Sequence, residues 1–245
     1  MRLTRSPIEL PLAVGQTLSL PEDVANHLVR VMRLREGEGC VLFNGDGHDY
    51  AATLSAISKR EVQVHIDSAQ AVDNESPLAI TLLQGIARGE KMDLILQKAT
   101  ELGVSSIIPV NAERTEVKLD AARAEKRIAH WRNVVGSACG QSGRARIPSI
   151  GSPQALAAAA AALPAQTLRL TLDPLGEHRL ASLPAAPANG VVIAIGPEGG
   201  WSPRDRQQLS EAGFQGLQLG PRILRTETAG IAAIAALQSR FGDLA

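Results

Sequence analysis

Residues 191–200 read VVIAIGPEGG, an apolar run that passes directly into a glycine-rich turn. The apolar run is typical of a buried strand in a parallel sheet, which is covered on both faces. Three of the turn's residues are glycines, which allow close backbone approach to a ligand or a positive φ. Ser202 and Asp205 follow with capping-box spacing and indicate that a helix begins there. The stretch therefore predicts a strand and a helix joined by a turn, at the edge where open parallel sheets bind ligands.

A second glycine-containing turn, LGPRILRTETAG, spans residues 219–230. It follows a predicted strand at 216–219 and opens a predicted helix of small residues that runs to about Gln238. Neither turn has the spacing of a dinucleotide site or a P-loop, and the sequence contains no H-E-x-x-H or G-x-S-x-G motif. Because tight strand-to-helix turns also need glycine for structural reasons, each turn alone leaves the function open.

The chain around the two turns alternates predicted strands with predicted helices. The alternation predicts an α/β domain with a mostly parallel sheet. The predicted strands lie at 79–83, 104–110, 168–172 and 191–195, and the predicted helices lie at 90–102 and about 120–138.

The first part of the chain predicts a small β-rich domain with one helix. The helix would begin at Pro21 and bury the face that carries Val24, Leu28, Val31 and Met32. The turn NGDG at 44–47 predicts a hairpin, and alternating apolar residues at 62–66 predict a third strand, so we expect a compact barrel. A polar segment at 71–77 separates the two predicted domains, 1–71 and 72–245.

Composition narrows the class of protein. Basic and acidic residues balance at 25 each, but residues 76–150 carry 11 basic and 7 acidic groups, Lys118 among them. This excess is compatible with phosphate contacts, although charge alone favours a solvated helix face. Cys40 and Cys139 have no metal-ligand spacing, which favours a reducing cytosol without disulfides or zinc. We expect no signal peptide and no membrane span.

Six stretches together resemble the RsmE family of RNA methyltransferases, in order and over nearly the whole chain. The two glycine turns, as a pair, are the most specific part of the resemblance. The stretches are HLVRVMRLREGE (27–38) with the FNGDG turn, GEKMDLILQKATELGVSSIIPV (89–110), AERTEVKL (112–119), CGQSGRARIP (139–148), IGPEGG (195–200) and LGPRILRTET (219–228).

The resemblance implies a PUA-like β-barrel for RNA recognition, followed by an α/β SPOUT methyltransferase domain. In that domain a C-terminal segment threads a loop to form a deep trefoil knot, which physical reasoning from sequence would not propose. The implied activity is S-adenosylmethionine-dependent methylation of N3 of one uridine in the 16S ribosomal RNA of the small subunit. The implied protein is a cytoplasmic homodimer, with its active site at the dimer interface, that needs no metal.

The resemblance also implies that S-adenosylmethionine lies among three knot loops. Close glycine backbone would offer N–H and C=O groups to the adenine, and leucine and isoleucine side chains would form apolar walls. The corresponding positions are Leu172, Ile195, Gly196, Glu198, Gly199, Gly200, Leu219, Gly220, Leu224, Arg225, Thr226 and Thr228.

Methylation at uracil N3 requires the loss of the N3 proton, assisted by a general base or by a cation that stabilises the uracil anion. We expect Arg225, Glu198 and Arg114 to be the catalytic residues. Glu227 is a further carboxylate, but its position at a predicted helix start also fits simple charge complementarity. The sequence leaves open which group takes the proton.

RNA recognition is expected to rely on shape and phosphate contacts, because the chain has only two Trp, one Tyr and three Phe residues for stacking on bases. For each candidate side chain, a surface salt bridge is the alternative. The candidates are Arg5, Asn26, Arg30, Arg33, Arg144 and Arg146.

Two other functions remain open. A non-catalytic ribosome-assembly factor could keep the fold, but it would be expected to lose the glycines of the cofactor loops, and these are present. A related SPOUT enzyme could methylate another RNA site, such as a ribose 2′-OH or a guanine.

Overall fold

The structure is a computed structural model that describes residues 3–117, 121–185 and 188–244. The chain divides into two compact units, one formed by residues up to Glu75 together with Gly136–Ile147, and the other by Ser76–Val135 and the residues from Pro148 onwards. Among the described residues, none of the helices is both long enough and apolar enough to cross a membrane.

The first unit contains a five-stranded sheet. β3 and β4 are joined through the predicted turn at 44–47, which confirms the hairpin, and the predicted third strand is β5. β1 pairs with β3 in parallel, and the other pairs are antiparallel. The spatial order is β1-β3-β4-β5-β2, with β1 (Arg5–Pro7), β2 (Thr17–Ser19), β3 (Gly39–Phe43), β4 (His48–Ile57) and β5 (Val62–Ala71).

The helix of the first unit is shorter than the sequence predicts. α1 (Glu22–Asn26) continues into a π-helical turn, His27–Val31, in which the Met32 N–H donates to the His27 carbonyl at 2.9 Å. Because this wider turn adds a residue, the 3.6-residue periodicity breaks after Leu28, which is fully buried. The predicted burial of Val31 and Met32 is therefore wrong, and they are 67% and 45% exposed.

Residues 136–147 belong to the first unit, although the sequence assigns them to the second domain. Two glycines allow this segment to pack closely on β1. A Cβ at Gly136 would lie 3.0 Å from Pro7 Cγ, and a Cβ at Gly140 would lie 3.0 Å from the Arg5 carbonyl oxygen. Such a contact between residues far apart in the chain leaves no local periodicity for sequence reasoning to detect.

The second unit is built on an eight-stranded sheet whose pairs are all parallel, which confirms the predicted mostly parallel sheet. The path along the sheet is β11-β13-β10-β12-β6-β7-β8, and β9 also pairs with β7. The strands are β6 (Ile80–Gly85), β7 (Ser106–Asn111), β8 (Ser149–Ile150), β9 (Gln154–Ala155), β10 (Leu168–Leu172), β11 (His178–Arg179), β12 (Val191–Ile195) and β13 (Gln215–Gln218).

Five helices and a short 3-10 turn, Leu180–Ser182, complete the described chain. The capping box is confirmed, because Ser202 Oγ accepts from the Asp205 N–H and Asp205 Oδ2 accepts from the Ser202 N–H. Residues 118–120, including the predicted basic Lys118, lie outside the described part. The helices are α2 (Glu90–Glu101), α3 (Ala121–Ser142), α4 (Leu156–Ala161), α5 (Pro203–Glu211) and α6 (Thr226–Phe241).

The order of strands positions the two glycine turns. β10 lies between β12 and β13, and all three run in the same direction. Their carboxyl ends therefore meet at one edge of the sheet, where the chain leaves β10 at Leu172, β12 at Ile195 and β13 at Gln218. This edge is the expected place for a ligand in an open parallel sheet.

Candidate functional site

A cavity of about 540 Å³ lies at the carboxyl ends of β10, β12 and β13. Its volume falls within the usual range for small-molecule sites. Eleven of the twelve predicted cofactor residues line it, from Leu172 through the 195–200 turn to Thr226. Thr228, which is exposed on the first turn of α6, does not line it. The three predicted loops thus come together in one site.

Glycine is required at different positions of the cavity for different structural reasons. Gly200 and Gly220 have φ values of +65° and +71°, which side chains rarely adopt. Gly199 is needed for close packing, since a Cβ there would lie 3.0 Å from Arg114 Cβ. Arg114 also donates from Nη1 to the Gly199 carbonyl at 3.0 Å. Arg114 therefore holds the 196–200 turn in place.

Glu198 is already engaged within the protein. Its Oε1 accepts from the Arg88 N–H at 3.1 Å and lies 3.5 Å from Lys91 Nζ. Partial burial alone would raise the pKa of Glu198, but the Arg88 hydrogen bond and the Lys91 charge hold that pKa below its ordinary value. A carboxylate with a lowered pKa is a weaker general base, and the contacts of Glu198 tie its side chain to Arg88 and Lys91.

Arg225 and Glu227 have different surroundings. Arg225 is exposed at the start of α6, lines the cavity, and has no ion pair with a described residue. Glu227 also lines the cavity, and its buried Oε2 has no hydrogen-bond partner among the described residues. A free guanidinium can therefore act on a ligand, and an unsatisfied carboxylate oxygen lies at the same site.

Several residues of the site were missed by sequence reasoning. Some of them lie within the two glycine motifs, beside the residues predicted to bind the cofactor, and the others come from helices, strands and turns outside those motifs, where their charges follow no recognisable spacing. Arg206 pairs with Asp173, and Trp201 Nε1 donates to Thr171 Oγ1 at 3.0 Å beneath the cavity wall. The further lining residues are Lys91, Asp173, Pro174, Pro197, Trp201, Arg206, Leu217, Arg222, Ile223, Glu227 and Ala229.

Two large apolar side chains stand exposed at the rim of the cavity. Ile223 lines the cavity and is 86% exposed, and Leu175, directly after the lining residue Pro174, is 93% exposed. Exposed apolar surface beside a binding site is typical of a face that contacts another molecule. Among the described residues, no cluster of histidine, cysteine or acidic side chains could hold a metal ion.

The six predicted RNA contacts all fall in the first unit, although they are far apart in sequence. Arg30, Arg33 and Arg146 are exposed, and Asn26 is half-buried. Arg33 also has a φ of +59°, which costs free energy for a residue with a side chain. These four side chains remain predicted RNA contacts.

Arg5 and Arg144 have a structural role instead. The Arg5 side chain is 6% exposed, forms a two-pronged ion pair with Asp49, and donates from Nη1 to the Cys139 carbonyl at 2.9 Å. The Arg144 side chain is also 6% exposed and pairs with Glu75 through two nitrogens. These contacts favour the salt-bridge alternative for both residues, since a buried, engaged guanidinium offers little to a phosphate, and their RNA contacts stay a prediction.

Comparisons with known proteins are consistent with this geometry. Residues 74–238 match the family described as RNA methyltransferase domain, and residues 20–67 match the RNA methyltransferase PUA domain. The chain is 34% identical, over 99% of its length and 98% of the relative's, to ribosomal RNA small subunit methyltransferase E of Buchnera aphidicola. It is 30% identical to the Bacillus subtilis protein of that name, over 97% and 94% of the two chains.

Among solved structures, the chain is similar to ribosomal RNA small subunit methyltransferase E from Neisseria gonorrhoeae bound to S-adenosyl methionine. The TM-score is 0.94 and the sequence identity is 42%, with 100% of both chains covered.

The different roles of the arginines give a stability prediction. Arg5→Met should lower the free energy of unfolding by about 3 kcal/mol, because it leaves Asp49 without its partner. Arg30→Met, at an exposed arginine of the same unit, should change it by less than about 0.5 kcal/mol. Urea unfolding followed by circular dichroism measures both, and equal stability of the two variants would contradict the structural role of Arg5.

Proposed function

This chain belongs to the RNA methyltransferase family, and from that premise we propose that it methylates N3 of one uridine in 16S ribosomal RNA of the small subunit. S-adenosylmethionine is the proposed methyl donor. The observation that carries the proposal is the cavity, because the two motifs of the family resemblance, IGPEGG and LGPRILRTET, form most of its wall. The choice of uridine and of N3 rests on the resemblance, and the activity is proposed to take place in the cytoplasm.

The residues of the cavity fit S-adenosylmethionine. Leu172, Ile195 and Leu219 supply apolar wall for an adenine ring, while the glycine turns leave backbone N–H and C=O groups within reach. Acidic and basic side chains around the cavity suit the amino and carboxylate groups of the methionine part. When bound, the cofactor would supply a methyl group on a positively charged sulfur.

Positioning and charge stabilisation are the tasks left to the protein side chains. Arg225 would stabilise the negative charge that uracil gains when N3 loses its proton, since its guanidinium lines the cavity and has no ion pair with a described residue. Arg114 would act through the turn that it holds, by fixing the Gly199 peptide. Glu198 would shape the same turn, and Glu227 becomes the better candidate for a base because its Oε2 has no partner among the described residues.

A homodimer with the cavity at its interface is part of the proposal. The exposed Ile223 and Leu175 at the rim would be covered by the second copy. The outer face of α6 offers partly exposed alanines, Ala232, Ala235 and Ala236, for close packing, while Ala229 and Ala233 are buried within the unit. We also propose that the segment leading into α6 is threaded as the trefoil knot of the family.

Methyl transfer to unmodified small ribosomal subunits tests the proposed function. We expect labelled methyl groups from S-adenosylmethionine to appear as 3-methyluridine at a single site, identified by mass spectrometry of the nucleosides. A different methylated nucleoside would make the chain a related enzyme with another RNA target. If the protein neither binds S-adenosylmethionine nor transfers a methyl group, that result would support a non-catalytic assembly factor and would contradict the proposal.

RNA binding by the first unit is proposed to use the π-helical turn and the residues after it. Arg30 and Arg33 are exposed here without a described ion-pair partner, next to the exposed Val31 and Met32. The left-handed conformation of Arg33 does not stabilise the fold. We therefore expect the Arg33 side chain to contribute to RNA binding, by contacting a phosphate.

Arg33→Gly should therefore weaken binding to small subunits several-fold, and it should lower the slope of log binding constant against log salt concentration by about one. The free energy of unfolding should stay unchanged or rise by up to about 1 kcal/mol, because glycine adopts this φ without strain. Arg60→Gly is the matched control, because Arg60 is an exposed arginine in the turn between β4 and β5. Filter binding over a range of salt concentrations gives both quantities. The same loss of affinity in both variants would indicate a general charge effect and would argue against a specific contact by Arg33.

A further inference from the structure

Gln84 is a fully buried amide in the middle of the apolar sheet of the second unit. It lies near the end of β6, paired in register with Ile195 of β12. Its Nε2 donates to Thr226 Oγ1 at 3.1 Å and to the Gly85 carbonyl at 2.9 Å. Its Oε1 is buried and has no hydrogen-bond partner among the described residues.

The unsatisfied oxygen makes this amide an unfavourable choice for stability. A buried acceptor without a donor is destabilising, whereas an apolar side chain of similar shape would avoid that cost. α6 packs over this oxygen without offering it a donor, and a Cβ at Gly230 would lie in ordinary van der Waals contact with Oε1, at 3.7 Å. Any contribution of Gln84 to function is therefore expected from the hydrogen bonds that its Nε2 donates.

Thr226 carries the effect of Gln84 to the cavity. A threonine hydroxyl has a single proton, and Gln84 Nε2 is only a donor, so Thr226 Oγ1 accepts from it and donates its own proton elsewhere. That proton goes to the Gly196 carbonyl, with an oxygen-to-oxygen distance of 2.6 Å. The amide thus fixes the direction of the hydrogen bond between the first residue of α6 and the first residue after β12.

Both ends of that hydrogen bond form the cavity. Thr226 and Gly196 each line it, one in each glycine turn. Gly196 packs closely against the other end of its own turn, since a Cβ there would lie 3.2 Å from the Trp201 nitrogen, so the turn is expected to move together with the Gly196 peptide. The orientation of its carbonyl therefore sets the position of the 196–200 turn relative to the start of α6.

We propose that Gln84 is a positioning residue for the cofactor site: through Thr226 it holds the Gly196 carbonyl and so fixes the spacing of the two turns between which the cofactor binds. This inference rests on the proposed function, because the ligand used to test it is S-adenosylmethionine. Gln84 itself lies behind the cavity wall and does not line the cavity.

The experiment compares two buried glutamines of the same unit. Gln84→Met removes the donor and the unsatisfied oxygen while keeping the volume. Gln238→Met is the matched control, because Gln238 is equally buried, binds the Leu102 carbonyl and Ser76 Oγ, and does not line the cavity. Calorimetric titration with S-adenosylmethionine gives Kd, and thermal unfolding without ligand gives Tm.

The two variants should show opposite patterns. For Gln84→Met we expect a Kd about fivefold to tenfold higher and a Tm that is unchanged or raised, which a merely structural role would not produce. For Gln238→Met we expect a lower Tm and an unchanged Kd. An unchanged Kd in folded Gln84→Met would overturn the proposal, and so would a Kd that rises only in proportion to a fall in Tm.

Variants of Thr226 test the connection and replace Gln84→Met if that variant does not fold. Thr226→Ser keeps the hydroxyl and should raise the Kd much less than Thr226→Val, which removes it. In the double variant Gln84→Met with Thr226→Val, the loss of affinity for S-adenosylmethionine should equal that of Thr226→Val alone, because both substitutions act through one hydrogen bond. Additive losses would contradict this. Failure of the wild-type chain to bind S-adenosylmethionine would instead count against the proposed function.

Discussion

The parallel pairing of β10, β12 and β13 is the constraint on which the candidate site depends. Leu172 pairs with Leu217 and Thr171 with Ala194, so the three strands end at nearly the same level. The turns that follow these strands therefore lie next to one another at the same edge of the sheet. Each turn then needs glycine where the backbone turns sharply or passes close to a neighbour, as at Gly199 beside Arg114. The cavity is the space left between turns that the sheet has aligned.

Hydrogen bonds between side chains and backbone convert that alignment into a defined site. Arg114 holds Gly199, the Arg88 N–H holds Glu198, and Thr226 holds Gly196. All three bonds are made within the protein, and bonds that hold a site in shape reduce the free energy that must be spent on ordering it when a ligand binds. Arg225 differs from the others because its guanidinium, which lines the cavity, has no ion pair with a described residue. The arrangement separates residues that build the site from the one most available to act in it.

Sequence reasoning predicted the parts of the structure that follow from local patterns. The strands at 168–172 and 191–195, the helix start at Ser202 and the hairpin at 44–47 were all confirmed. It failed where a contact joins distant residues or where a helix changes its period. Arg5 looked like a surface charge because nothing near it in sequence indicates Asp49, and Val31 looked buried because a π-helical turn leaves no pattern in the sequence. The motifs located the cavity, but Lys91, Arg206 and the Gln84 connection depend on packing that only the structure gives.

A crystal structure of this chain with S-adenosylmethionine tests the central claim most directly. The account predicts that the cofactor lies in the cavity of the second unit, with its adenine between the 196–200 turn and the turn before α6, and that the Thr226 hydrogen bond to Gly196 is kept. Cofactor bound elsewhere on the chain, or an empty cavity at saturating cofactor, would contradict it.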